Sequence, residues 1–182
     1  GIDAFVTPGN HTDKQAGVDN VRYRLTLLAK NNEGYKNLMR LTSIAYTAGF
    51  YYKPRIDKEL LKKYHEGIIC LSGGFGSEVT KSFRDGDPIH AEAVAKEYRD
   101  IFGDGNYFIE VQHTPNLERA QETCAFLIDL GKKLNIPLVA TKDSFYLDQD
   151  DATAQDVHLA IGQGVDVYND NRFSMNDEEF SF

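Results

Sequence analysis

"YRLTLLAKNNEGYKNLMRLTSIAYTAGFYYKPRID", Tyr23 to Asp57, contains the two periods that decide the fold. "VRYRLTLLAK" alternates like a strand until "LTLLA", where it becomes apolar throughout, as expected when both faces of a sheet are covered. The polar Asn31-Asn32-Glu33 then interrupts it, with Asn32 predicted to cap a helix. Tyr35, Leu38, Met39, Leu41, Ile44, Ala45 and Ala48 recur at helical spacing, and Gly49 closes the segment. A strand followed within a few residues by an amphipathic helix is the repeating unit of an α/β protein.

Outward from this unit the pattern repeats. "IDAFVT" before it reads as a strand stopped by Pro8-Gly9, and "NHTDKQAGVDN" as a polar loop. After it come an aromatic-rich loop, a short helix from about Asp57, a buried strand in "GIICLSGG", and helices over 77–83 and 88–102. "NYFIEVQ", "NLERAQETCAFLIDLGKKLN" and "IPLVAT" read as strand, helix and strand, and 150–161 as a last helix before a polar tail. Strands 30 to 40 residues apart predict parallel βαβ units, so both a barrel and a doubly wound sheet fit. In either, chemistry belongs at the strands' carboxyl ends.

Composition narrows the function classes. The 182 residues suit one domain with a sizeable core. A formal net charge of -8 argues against a broad sequence-independent grip on DNA phosphates. Cys70 and Cys124 sit in apolar runs as small hydrophobes, without a disulfide framework. No apolar run approaches the ~20 residues of a membrane span, and no signal peptide opens the chain. The expectation is a cytoplasmic protein with no membrane partner. Gly1 in place of Met, and a strand at the very start, read as a piece of something larger.

The strand ends offer a short set of polar residues: Asp3, Arg24, Ser72-Gly73-Gly74, Glu110, Gln112, His113, Thr141, Lys142 and Asp143. A hydrolytic metal cluster wants several His or Cys ligands from neighbouring strands, and of five histidines only His113 is placed for it. Asp143 also suits a plain turn cap. "SGGFGSE" lacks the Lys-Ser/Thr of a P-loop and reads as a tight strand-to-helix turn.

The stretch from Tyr23 to Asp57 closely resembles a segment of bacterial replicative DNA polymerase III alpha subunits. "GIICLSGGFGSEV", "FGDGNYFIEVQ", "LNIPLVATKDSFYL" and "NRFSMNDEEF" resemble further blocks of the same region in the same order. That region is the N-terminal PHP (polymerase and histidinol phosphatase) domain. The resemblance implies a distorted (β/α)7 barrel, here partial and lacking its first strands, over residues 1–165. Residues 166–182 would connect toward the polymerase region.

In metal-binding members of that family, His, Asp, Glu and Cys at strand ends hold up to three metals for phosphoester hydrolysis. "GIDAFVTPG" is similar to the family's Gly-x-Glu-Ala-Tyr-Val-Ala-Pro-Gly, so Asp3 replaces a ligand Glu and is shorter by ~1.5 Å. "RLTLLAKN" resembles His-Leu-Thr-Leu-Leu-Ala-Lys-Asn, with Arg24 at the His. "LSGGFGSEV" resembles Leu-Ser-Gly-Cys-Leu-Gly-Gly-Glu-Val, with Gly74 at the Cys. "ATKDSFYL" resembles Ala-Thr-Asn-Asp-Val-His-Tyr-Leu, with Asp143 kept and Phe145 at the His. The family's earlier His-x-His and Thr-Asp-His motifs have no counterpart.

A guanidinium has no lone pair for a metal. Beside a cation ~4 Å away it costs about 4 kcal/mol per unit of metal charge at an effective dielectric of ~20. The implied metal positions Asp3 and Asp143 are therefore vestigial, and Arg24 is expected to pair with one of them. The implied role is structural support and subunit docking within a DNA-directed DNA polymerase, with no cofactor and no hydrolysis by this fragment. Its partners would be other polymerase domains and replisome subunits, a proofreading exonuclease subunit among them, with DNA reached only through the full-length parent. The alternative is a metal-dependent phosphoesterase or 3′–5′ proofreading exonuclease using Asp3, Asp143 and His113 with zinc, manganese or magnesium. A free-standing PHP phosphatase is a third reading, disfavoured by the polymerase-like run.

Overall fold

A computed structural model describes residues 1–112, 119–175, 180 and 181. Among the described residues five strands form one sheet in sequence order: β1 (Ile2–Val6), β2 (Tyr23–Ala29), β3 (Ile68–Leu71), β4 (Tyr107–Gln112) and β5 (Leu138–Thr141). Six α-helices occur among the described residues: α1 (Asn32–Thr47), α2 (Lys58–Tyr64), α3 (Glu78–Arg84), α4 (Pro88–Phe102), α5 (Ala120–Leu134) and α6 (Ala152–Gln163). The fold is mixed α/β, and no described helix is long and apolar enough to cross a membrane.

The expectation of parallel units throughout is corrected. Only β3–β4 and β4–β5 are parallel, whereas β1–β2 and β2–β3 are antiparallel. Between β1 and β2 the chain has no helix to carry it back along the sheet, so it returns in the opposite direction. Between β2 and β3, α1 runs one way and the stretch through α2 runs back. Lys30 at the end of β2 accordingly lies beside Gly67 at the start of β3, joined by a 2.8 Å backbone hydrogen bond. As a consequence, Arg24 near the amino end of β2 shares an edge of the sheet with the carboxyl ends of β3, β4 and β5.

The core lies on one face of this sheet. Leu38 and Leu41 of α1, Leu61 of α2, Tyr98 of α4 and Leu127 of α5 pack on Val6, Leu25, Leu27, Ile68, Cys70, Tyr107 and Ile109. Burying each such aliphatic side chain contributes about 1.5–3 kcal/mol. Strand alternation turns Asp3, Arg24, Thr26, Glu110, Gln112 and Thr141 to the opposite face. "LTLLA" is thus not covered on both sides as expected: Leu25 and Leu27 are buried, but Leu28 and Ala29 are exposed. Cys70 is buried and Cys124 half-buried, both as free thiols.

Local sequence sets the element ends. The cap of α1 is Asn31, not Asn32: its side-chain oxygen accepts from the Gly34 N–H at 2.9 Å, three residues on. Gly34 itself is dictated by packing, because a Cβ there would stand 1.8 Å from the Gly67 carbonyl oxygen. Asp87 caps α4 through the His90 N–H, with Pro88 in the first turn as its fixed φ favours. The expected start of the next helix, Asn116, lies outside the described residues, and α5 is defined from Ala120. The polar tail after α6 folds back on it: Arg172 pairs with Asp156, Ser174 donates to Asp156, and Gln163 exchanges two hydrogen bonds with the Phe173 backbone.

The loop between β1 and β2 hangs on Arg55, which is fully buried. Its guanidinium donates to the carbonyls of Gly49, Asp19, His11 and Asp13. Its face lies over the Tyr51 ring. Asp57 adds a second tether. It caps α2 at the Leu60 N–H and accepts from the backbone and ring nitrogens of His11 at 3.0 and 2.5 Å. Burial pushes the Asp57 carboxyl up, but the His11 and Leu60 hydrogen bonds more than offset this and hold it below its ordinary value.

Replacing Arg55 with Met is expected to cost about 2–4 kcal/mol in urea unfolding, through carbonyls left buried without donors. Amide exchange should accelerate first in residues 10–20. Arg55→Lys should recover little, since one ammonium cannot reach four carbonyls in that fork. The Asp57 contribution follows its depressed folded pKa. It is present above the ordinary carboxyl range and lost as pH falls through the folded value, so Asp57→Asn should flatten the acid limb of the stability profile.

Candidate functional site

The polar residues on the uncovered face converge at one end of the sheet. Arg24 stands between two carboxylates. Its Nη2 donates to Asp3 Oδ2 at 3.1 Å, and Nη1 and Nη2 donate to Asp143 Oδ2 and Oδ1, both at 3.2 Å. The pairing expected of Arg24 is therefore present with both partners at once. Thr26, opposite Asp3 in the β1–β2 register, donates to the other Asp3 oxygen at 3.0 Å. Burial pushes the Arg24 guanidinium down. The hydrogen bonds and charge of Asp143, then those of Asp3, outweigh it and leave the group above its ordinary value. Asp143 does not act as a turn cap here, because both its oxygens face the arginine.

A second layer lies behind this pair. Gln112 on β4 accepts from the Phe75 N–H at 3.2 Å and directs its amide nitrogen toward Glu110 (3.3 Å) and Asp143 (3.5 Å). Glu110, buried, accepts from the Gly73 N–H at 3.0 Å and from the Thr141 hydroxyl at 2.6 Å. A Cβ built at Gly74 would stand 2.1 Å from Gln112 Oε1. The carboxamide of Gln112 thus fills the space that a side chain at position 74 would enter. Gly74 also has φ +56, a left-handed conformation that L side chains adopt at a cost.

Phe145 is not part of this cluster. It lies edge-on to Phe180 with centroids 5.4 Å apart, and its N–H donates to the Phe180 carbonyl at 2.9 Å. His113 lies outside the described residues. The remaining histidines are elsewhere: His11 is bound to Asp57, His65 to the Lys62 carbonyl, and His90 and His158 sit in α4 and α6. "SGGFGSE" forms a 3-10 turn, Gly74–Gly76, that leads into α3 with Ser77 as cap.

The described donors of this cluster are engaged with one another. Among the described residues no group of three or more His, Cys, Asp and Glu side chains is arranged to hold one. Two carboxylates are already engaged by a permanent cation, and the arginine would repel a second one. Glu110 and Gln112 stood among the strand-end residues of the sequence, but without a role. Nothing in sequence spacing could say that a glutamine on β4 occupies the volume of residue 74.

Gly74→Cys alone is expected to destabilise the chain by about 1–3 kcal/mol, from the left-handed backbone and the displaced amide. Combined with Gln112→Ala it should cost less than the sum of the two single changes. A double-mutant cycle read by denaturant unfolding measures the difference, and strict additivity would refute steric occupancy.

Comparison with known proteins places the chain. The PHP domain model matches residues 1–114. DNA polymerase III subunit alpha of Treponema pallidum (strain Nichols) is 41% identical over 181 residues, covering 99% of this chain. The Deinococcus radiodurans protein of the same name is 43% identical over 184 residues, and that of Thermus aquaticus 37% over 182, each again covering 99% of the chain. The chain spans about 15% of the length of the relatives it matches. With a model match over more than half of its residues, this chain belongs to the PHP domain family.

Proposed function

We propose that the chain is the PHP region of a bacterial DNA polymerase III alpha subunit in which the metal site has been replaced by an ion pair. Its role is then structural, supporting a DNA-directed DNA polymerase and docking partner subunits. The observation that carries this reading is Arg24 clamped between Asp3 and Asp143. In the resemblance these are one ligand position lost to a cation, one shortened and one kept. Gln112 in the volume of a side chain at Gly74 supports the same reading, since it makes a second loss hard to reverse.

The sheet is, in this proposal, an arc of a distorted (β/α)7 barrel whose lumen is the Arg24 face. The reach of Arg24 supports it. β2 and β5 are three strand spacings apart, ~14 Å in a flat sheet, yet Arg24 on β2 grips Asp143 just past β5. Curling of the sheet shortens that path. The family's opening strands have no counterpart in these 182 residues. Residues 1–165 would form the PHP part and 166–182 the connection toward the polymerase region. Other polymerase domains and replisome subunits, including a proofreading exonuclease subunit, would be the partners, with DNA reached only through the parent.

Two measurements test the proposal. The purified chain is expected to carry zinc and manganese only in substoichiometric amounts, and chelator should leave its thermal midpoint unchanged. Arg24→Gln should cost about 1–3 kcal/mol, the scale for hydrogen bonds to charged groups. Stoichiometric metal together with metal-dependent phosphoester or 3′–5′ hydrolysis would overturn the reading in favour of a working phosphoesterase.

A further inference from the structure

Beside the amino end of β2 lies a cavity of about 490 Å³, bordered by Arg22, Tyr23, Gly76, Lys81, Arg84 and Asp85. Its volume falls within the roughly 300–1,000 Å³ range of small-molecule sites. Three cations and one carboxylate line it. The carboxylate is already committed: Lys81 and Asp85 pair at 2.5 Å along one turn of α3.

Neither arginine has such a partner among the described residues. Arg84 donates to the Phe75 carbonyl at 3.1 Å and lies 3.9 Å over the Phe75 ring, and its Nε is buried with no hydrogen bond at all. Arg22 donates to the Asn20 carbonyl at 3.1 Å and lies 5.4 Å over the Phe5 ring. Both residues are half-buried, and each guanidinium lies over a ring face and donates to a backbone carbonyl. Several of the five N–H donors of each therefore have no protein partner among the described residues. Burial pushes the Arg84 guanidinium down and Arg119 adds to this, partly offset by Asp85. The surroundings thus leave that charge incompletely compensated. Two arginines thus border one cavity without a carboxylate hydrogen-bonded to either among the described residues.

We infer that this cavity binds a phosphate group, gripped by Arg22 and Arg84 with Tyr23 on its rim. Planar guanidinium forks match phosphate oxygens in pairs, and ring stacking fixes them beforehand at little entropic cost. Its two proposed ligands, Arg22 and Arg84, are not members of the Arg24 cluster, although Phe75 touches both Arg84 and Gln112. The phosphate can be free or part of a nucleic-acid backbone.

The test is amide-resolved NMR of the isotopically labelled chain, titrated with inorganic phosphate against chloride at matched ionic strength. A parallel titration uses an oligothymidylate without terminal phosphates. Binding should saturate and be centred on Tyr23, Gly76, Lys81 and Asp85. Arg22→Gln and Arg84→Gln should each weaken it about tenfold or more, the loss of one charge-assisted bond or two, while Arg22→Lys retains part of it. Saturation by inorganic phosphate supports a free-phosphate ligand, and saturation by the oligomer supports a phosphodiester one. Shifts that only track ionic strength with both probes, or saturable binding indifferent to both Gln variants, would overturn the inference. If Arg84→Gln loses its shift dispersion, Arg22→Gln alone carries the test.

Discussion

One guanidinium ties together three parts of the chain that lie far apart in sequence. Arg24 sits on β2, grips Asp3 on β1, and reaches Asp143 beyond β5, 119 residues away. Arg24 and Asp143 are each about two-thirds shielded from solvent, so leaving either unpaired would be costly. Together they close on one another, and the two ends of the sheet are drawn toward the same point. Asp3 is more than half exposed, so its pair is worth little on its own. The contact to Asp143, two-thirds shielded, fixes the geometry.

Around that contact the polar residues are consistent with one another. Glu110 takes hydrogen bonds from the Gly73 backbone and from Thr141, and Gln112 is shared between Phe75, Glu110 and Asp143. In this network the described donors and acceptors satisfy one another. Arg24 supplies the charge between the two carboxylates, and Gly74 leaves room for the Gln112 amide.

The helix-covered face follows a different logic. Its aliphatic side chains are interchangeable in kind, and its stability comes from area removed from water. The exceptions are the places where backbone meets backbone, as at Gly34, or where a buried cation must organise a long loop, as at Arg55. The Arg22–Arg84 cavity belongs to neither face. It occurs where the loop held by Arg55 passes α3.

The sequence by itself determined the elements. The 3.6-residue period of Tyr35 to Ala48, the Asp-Pro start at Asp87 and the alternation of the strands are local properties, set by dihedral preference and side-chain spacing. It also determined the family, since the run from Tyr23 to Asp57 is specific wherever it folds. Strand direction was decided only by tertiary structure, because β1 and β2 lack the crossover that parallel pairing needs, and that depends on how the chain returns. The membership of the site was decided there too. Asp3 and Arg24 come together through sheet register and Asp143 reaches them from beyond β5, Gln112 enters the volume beside Gly74, and Phe145 lies against Phe180. Local patterns specify what a residue can offer, and only packing over long sequence separations decides what it meets.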